Sequence, residues 1–329
     1  TNHIEEGLVV FDEWTEIDNI RVRYCTAKSK LSFRVIFHSV KALLKSDVIL
    51  LSSIFYVPSF FIALFAVLTS KKIIWSPRGE LFDTAINGSK SKLLYIKLLK
   101  SLFSKKIIFH ATSTEEKNVI HKCFGDSVKT IVIPNYMELH EKKNRLVNAD
   151  KYFLYVGRVA PIKALDNLLL GFAKSDSFMN SDYKLLIAGG VEKQFEEYYN
   201  QLIQILFENA ALKEKVVFLG NVEGEQKFQL YADAHYSILV SHSENFGNVV
   251  IEALSQGTPV IASRGTPWKE LDDNKAGLWI DNTESDIAKT IDQVLATDEE
   301  EYFQVRDNAY KLALEFDVYS NINNWINVL

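Results

Sequence analysis

Apolar positions recur along the chain in short blocks whose spacing alternates between that of strands and that of helices. Leu8 to Trp14 and Ile20 to Tyr24 are strand-like runs in a charged setting. From Leu31 to Leu44, Phe33, Val35, Ile36, Val40, Leu43 and Leu44 follow helical spacing. Val48 to Leu68 is uncharged and interrupted by serines and Pro58. It predicts a buried strand over Val48–Leu51, a turn, and a core helix over 58–69 with proline in its first turn. A strand over Lys72–Trp75 then completes a strand-helix-strand unit. Ile107 to Ala111 predicts a further strand, and Thr112-Ser113-Thr114-Glu115-Glu116 opens a helix with a hydroxyl cap and an acidic first turn.

The pattern repeats after a polar, charged segment, His140 to Asn148, that reads as a linker. Apolar runs at Tyr152–Val156, Leu185–Ala188, Val216–Leu219, Tyr236–Val240 and Val260–Ala262 predict buried parallel strands. Helical spacing lies between them, beginning near Leu165 and again over Phe228–Ala234. From Val249 to Leu254 the helix has Asn248 as its expected cap and Gly257 as its end. The stretch from Tyr302 to Leu329 is mostly helical, with Asp317 capping a last helix that carries Tyr319, Ile322, Trp325 and Ile326. Strands alternating with helices predict an α/β fold with parallel sheets, and 329 residues suit two domains.

Composition adds three constraints. Cys25 and Cys123 are too few for a disulfide framework or a metal site, fit a reducing compartment, and read as small buried hydrophobes. The net charge of −5 hides an asymmetry: 22 Lys and Arg against 15 Asp and Glu in residues 1–150, and 15 against 27 in residues 151–329. The basic half suits an anionic partner, but no nucleic-acid-binding motif supports nucleic acid as that partner. Finally, Val48 to Leu68 just reaches the length of a membrane span; its proline and serines favour a core strand and helix instead. Lys90 to Lys106 reads as a basic amphipathic helix. That pattern suits either a core face plus a solvated face or a helix resting on an anionic membrane.

Candidate chemistry gathers at Ser241–Ser263. Gly247 lets a ligand approach the backbone. The free N–H groups of Asn248 and its successors, with the helix dipole, form an anion site. Glu244 lies before this helix and Glu252 one turn inside it. An anion cradle between carboxylates suits a ligand carrying both phosphate and hydroxyls, as a nucleotide sugar does. Earlier in the chain, Gly157-Arg158 and Lys163 follow a strand and fit a diphosphate; alone, the pair reads by default as two solvated cations. Arg78-Gly79 follows the Lys72–Trp75 strand and fits either a phosphate clamp or a surface turn. No G-x-G-x-x-G occurs after Leu185–Ala188, and no Asp-x-Asp triplet or histidine cluster is present.

The residues Glu244-Asn245-Phe246-Gly247 followed by Glu252-Ala253 resemble the E-x-F-G-x-x-x-x-E-A signature of family 4 retaining glycosyltransferases, which have the two-domain GT-B fold. Pro259 to Ser263, Gly265 to Leu271, Ala276 to Ile280 and the Ile133-Pro134-Asn135 segment extend the match. The resemblance implies two Rossmann-like domains with parallel sheets facing a cleft. They divide as an acceptor-side domain over 1–143, a nucleotide-sugar domain over 149–312, and a terminal helix over 313–329 crossing back to the first. Relatives open with a strand and a glycine-containing loop; none is visible here, so the first βα unit is expected to be lacking.

The resemblance further implies sugar transfer from a nucleotide-diphosphate sugar, with UDP the expected nucleotide, to a saccharide or lipid-linked acceptor. Bacterial surface polysaccharide or lipopolysaccharide synthesis is the expected setting. Glu244 would contact the transferred sugar, and Arg158 and Lys163 would grip the diphosphate. Glu252 would accept hydrogen bonds from the ribose. Gly157, Phe246, Gly247, Asn248 and Val249 would line the donor site, with Asn221 and Val222 near the base. Arg78 and Gly79, where many relatives carry His-Gly, are candidates for phosphate or acceptor. No cofactor or metal is expected. A cytoplasmic protein is expected, with the inner membrane face as a peripheral partner of Lys90–Lys106. A GT-B epimerase and a non-catalytic nucleotide-sugar-binding subunit are the alternatives.

Overall fold

A computed structural model describes residues 9–27, 31–86, 88–103, 105–146 and 151–329. The chain forms two compact units that divide after Ile133.

The first unit begins with an antiparallel hairpin, β1 (Trp14–Ile17) and β2 (Ile20–Arg23). Asp18 and Asn19 both take positive φ, 50° and 61°, the twist that a two-residue hairpin turn requires. A helix, Phe33–Leu43, follows with Ser32 accepting from the Val35 amide as its cap. Four parallel strands then lie in chain order: β3 (Val48–Ser52), β4 (Lys72–Ser76), β5 (Ile108–Ala111) and β6 (Lys129–Val132). The helix Val57–Leu68 connects β3 to β4, as the proline-interrupted pattern predicts. Among the described residues, no helix is long and apolar enough to cross a membrane.

The helix Lys90–Phe103 turns Ile96, Leu99 and Phe103 into the core. Leu93, Leu94, Leu98 and Leu102 remain exposed among its lysines. Ser113 caps the helix Thr114–Phe124 by accepting from the Glu116 amide, as expected from the sequence.

The second unit holds six parallel strands: β7 (Tyr152–Val156), β8 (Lys184–Ala188), β9 (Val216–Gly220), β10 (Ser237–Leu239), β11 (Val260–Ser263) and β12 (Gly277–Ile280). Their spatial order is β12-β11-β10-β7-β8-β9. The order reverses between β7 and β10, so connections leave these two strands in opposite directions and open a crevice at their carboxyl ends. β7 is buried on both faces. Phe153 and Tyr155 enter one apolar layer, Tyr152 and Leu154 the other, which explains why this run has no polar alternation.

Residues 134–146 belong to the second unit. Met137 and Leu139 pack on its core, and Met137 exchanges backbone hydrogen bonds with Phe316 and Val318. Gln256 Oε1 accepts from the Lys143 amide at 2.8 Å, and Asp233 Oδ1 from that of Leu146 at 2.8 Å. The polar composition of 140–148 reflects these side-chain anchors as far as Leu146; residues 147–150 lie outside the described ones. Asp317 accepts from the Ser320 amide, as its predicted cap role requires, and opens the helix Val318–Ile326.

Candidate functional site

The loops at the switch point between β7 and β10 carry Lys163, Glu244 and Gly247. β10 continues into Ser241, and the loop to Gly247 is held from below. The Glu244 amide donates to Gly265 O at 2.9 Å, and the His242 amide to Ile162 O at 2.8 Å. Gly265 passes so close that a Cβ there would stand 2.4 Å from His242 O and 2.5 Å from Ser241 O. From the β7 side, Pro161–Lys163 form one 3-10 turn, and Ala164 takes a left-handed φ of 53° before the helix Leu165–Lys174.

These two loops bring Lys163 and Glu244 into a direct ion pair through Oε1. Ser241 Oγ donates to the same oxygen at 2.9 Å. Both charged side chains are mostly buried, 16% and 14% exposed. Tyr155 is buried near the end of β7. Burial, followed by the Glu244 charge, pushes its phenol far above the usual tyrosine range, so it remains a neutral donor, to Arg158 O at 2.8 Å. Arg158 itself turns elsewhere: its guanidinium is exposed and pairs with Glu192 at 2.8 Å.

The helix Asn248–Ser255 starts at this crevice. Gly247, with φ 85°, occupies the cap position, and no side chain caps the helix. Asn248 is therefore the first helical residue rather than the expected cap. The positive φ of Gly247 shifts the start by one position, and the Asn248 side chain instead accepts from Asn135 Nδ2 at 2.9 Å. A Cβ at Gly247 would stand 2.8 Å from Leu239 Cδ2. Phe246 is buried, its ring 5.1 Å from that of Trp268 and 6.0 Å from that of Phe316. Trp268 Nε1 donates to Phe246 O. Phe246 thus anchors the loop in the core, while Val249 is half-buried against the same layer. The helix N-terminus, open and dipole-positive, suits an anion.

Glu252, one turn inside the helix, is gripped by two groups: Lys227 Nζ at 2.9 Å on Oε1 and Tyr231 OH at 3.1 Å on Oε2. Each oxygen keeps a further lone pair for a ligand hydroxyl. Neither Lys227 nor Tyr231 is suggested by a motif, yet their i, i+4 spacing on one helix is a readable signal.

At the ends of β7, β8 and β9, Gly157, Gly189, Gly190 and Asn221 meet. A Cβ on Gly189 would overlap Gly157 O at 1.7 Å, and one on Gly190 would stand 2.5 Å from Asn221 Oδ1. Asn221 is exposed and Val222 half-buried.

In the first unit, Arg78 takes a left-handed φ of 55° at the end of β4. Glu116, almost wholly buried, accepts from the Gly79 amide at 2.7 Å and from the Thr112 amide and hydroxyl at 2.8 and 3.0 Å. Glu80 accepts from Ser53 Oγ and from the amides of Ile54 and Phe55. Two carboxylates therefore fix the Arg78-Gly79 turn and the loop after β3, and motif reading gave neither a role.

Among the described residues, no group of His, Cys, Asp and Glu has a metal-binding arrangement. Residues 137–312, more than half of the chain, match the family model described as glycosyl transferases group 1. The chain is 33% identical over 149 residues to an uncharacterized glycosyltransferase of Methanocaldococcus jannaschii, a match covering 45% of this chain and 36% of that protein. It is 34% identical over 145 residues to a D-inositol 3-phosphate glycosyltransferase of Mycobacterium sp. (strain KMS), covering 43% of this chain and 31% of that protein. These matches span only about a third of the length of the curated relatives.

Among solved structures, Anabaena HepE in complex with UDP and glucose superposes with a TM-score of 0.76 at 18% identity, covering 93% of this chain and 86% of that one. Sucrose-phosphate synthase from Thermosynechococcus elongatus gives 0.72 at 18% identity, covering 90% and 76%. The fold is GT-B, and the chain belongs to the group 1 glycosyltransferases.

Proposed function

We propose that the protein is a family 4 retaining glycosyltransferase that takes its sugar from a UDP-sugar. The carrying observation is the buried Lys163–Glu244 pair at the switch point, beside the uncapped start of the helix Asn248–Ser255. UDP in complexes of similar structures supports uridine as the base.

In this reading the bond that breaks joins the anomeric carbon to the diphosphate, and negative charge grows on the departing phosphate oxygens. Lys163, the helix N-terminus and Arg158, released from Glu192, meet that charge. Cationic side chains and amides in place neutralise it without a divalent ion. Glu244 orients the sugar and stabilises positive charge at the anomeric carbon. Glu252 accepts the ribose hydroxyls, with Asn221 and Val222 beside the base. Arg78 and Gly79 face the acceptor or its phosphate. The acceptor is a saccharide or a lipid-linked sugar of bacterial surface polysaccharide or lipopolysaccharide assembly. The exposed leucines and lysines of the helix Lys90–Phe103 rest on the anionic inner face of the membrane.

The test is release of nucleotide diphosphate from a panel of UDP- and GDP-sugars, for wild type and Glu244→Ala, with and without lipid-linked acceptor. Turnover with one donor that needs acceptor and is lost in the variant supports transfer. Release without acceptor points to an epimerase. Donor binding without turnover under any acceptor points to a binding subunit.

A further inference from the structure

The first unit carries a second cavity chemistry, between the β1–β2 hairpin and the helix Phe33–Leu43. The register pairs Trp14 with Arg23 and Glu16 with Arg21, so all four side chains leave the same face of the hairpin. Across from it, His38, Lys41 and Lys45 recur at the three- and four-residue spacing that puts them on one side of the helix and its end. Together Trp14, Arg21, Arg23, His38, Lys41 and Lys45 line a cavity of about 620 Å³, closed by Ala42. Among the described residues, no acidic side chain lines it.

Arg21 and Arg23 lie 5.2 and 6.0 Å from the centre of the Trp14 ring, within cation–π reach of it. Among the described residues, no carboxylate lies within ion-pair distance of Arg21, Arg23, Lys41 or Lys45. Asp12, just before the hairpin, is bonded to Arg34 and Thr26 and feels the Arg23 charge only at longer range, and Glu16, cross-strand from Arg21, makes no ion pair with it. Arg23 Nε is buried and has no acceptor among the described residues. A desolvated cationic donor without a partner is costly, and an anion in the cavity supplies one.

We propose that this pocket binds a phosphate-bearing anion, a phosphate monoester or diphosphate. Two guanidinium forks suit the paired oxygens of a phosphate, and the two ammonium groups add charge without fixed direction. The volume admits a diphosphate with part of its ester group. The site lies in the unit that does not carry Glu244. It also accounts for part of the basic excess of the first 150 residues.

The experiment titrates the full chain with inorganic pyrophosphate by calorimetry, in the presence of excess UDP. Two double variants on different elements are compared, Arg21→Gln with Arg23→Gln and Lys41→Gln with Lys45→Gln, beside the exposed Lys311→Gln as a control. In parallel, flotation is measured on vesicles of phosphatidylglycerol and of phosphatidylcholine. One pyrophosphate per chain, weakened at least about tenfold in both pocket variants and unchanged in the control, supports a soluble phosphate ester. No pyrophosphate binding, with flotation on phosphatidylglycerol alone that both pocket variants lose, supports a lipid headgroup phosphate. Binding of neither probe, or binding that both folded pocket variants leave unchanged, overturns the proposal. Because the lysines sit on the exposed side of a helix, their variant decides the matter even where the hairpin variant does not fold.

Discussion

Lys163 and Glu244 are ion-paired across 81 residues of sequence, and the carboxylate oxygen that takes the lysine also takes the Ser241 hydroxyl. Removing one partner leaves a mostly buried charge without its counter-ion, which costs more than the pair contributes. Lys163→Ala is expected to destabilise the protein by roughly 1–3 kcal/mol, allowing for the residual exposure of both groups. Glu244→Ala does the same, and the double variant costs less than the two singles together, a coupling that urea unfolding of all four proteins measures. Under the proposed mechanism, in which the lysine meets the diphosphate and Glu244 the sugar, transfer is expected to fall in every variant. Additive unfolding costs would show that the two groups do not interact in solution.

Gly265 sets the height of the loop that carries Glu244. Its carbonyl accepts from the Glu244 amide, and it has no room for a side chain against His242 O and Ser241 O. Those neighbours are backbone and cannot swing aside. Gly265→Ala is expected to cost about 1–3 kcal/mol and to lower kcat through displacement of Glu244, though no side chain that touches substrate has changed. A folded variant with wild-type kcat and an unchanged melting temperature would refute the role assigned to this contact.

Glu252 tests the ribose assignment apart from the chemistry. Lys227 and Tyr231 hold its carboxylate in place. Glu252→Gln keeps the shape but replaces one acceptor oxygen by a donor. The donor KM is expected to rise about tenfold or more, the loss of one or two charge-assisted hydrogen bonds, with a smaller change in kcat. Lys227→Met should raise KM in the same direction by freeing the carboxylate to move. The opposite split, with kcat lost and KM kept, would place Glu252 at the reacting centre instead.

The helix Lys90–Phe103 presents Leu94 at 70% exposure, with Leu93, Leu98 and Leu102 also exposed among lysines. If these residues rest on a membrane, Leu94→Glu with Leu98→Glu abolishes flotation on anionic vesicles and leaves the melting temperature within a degree or two, since neither side chain is in the core. Flotation that survives this double variant removes the helix from membrane contact.

Legibility in the sequence follows how local each determinant is. β7 and β10 were readable because burial on both faces makes a strand a continuous apolar run. The Lys72–Trp75 strand and the proline-started helix before it were readable from local spacing. The boundary between units was not. His140 to Asn148 looks like solvated linker, yet side chains of Gln256 and Asp233, more than 80 residues away, collect its amides as far as Leu146. The same holds at the site. Glu244, Glu252, Gly247 and Lys163 stand in motifs, whereas Glu116 and Lys227 gain their roles only through partners the fold supplies. The hairpin turn at Asp18-Asn19 is local, but interspersed charge masks the strand pattern around it.

Acid stability should report two buried histidines. Burial pulls His235 down to about 4, helped by the charges of Arg145, Arg306 and Lys151 and opposed by a bond to Val294 O. His110, hydrogen-bonded to Ser76 Oγ at 2.7 Å, is lowered as well, mainly by burial. In the unfolded chain both titrate near 6.5. Between about 4 and 6.5 the unfolded state therefore binds more protons than the native state, so stability rises with pH across that window and falls on acidification. The His235 contribution is up to about 3 kcal/mol, complete above pH 6.5 and lost toward pH 4. Its ring lies 4.4 Å from that of Tyr302 and 5.5 Å from that of Phe153, so His235→Phe keeps the packing and removes the titration. Urea unfolding midpoints between pH 7.5 and 5 should fall less steeply in the variant than in wild type. Equal slopes would mean that His235 is protonated in the folded protein at pH 5, and that its burial is relieved in solution.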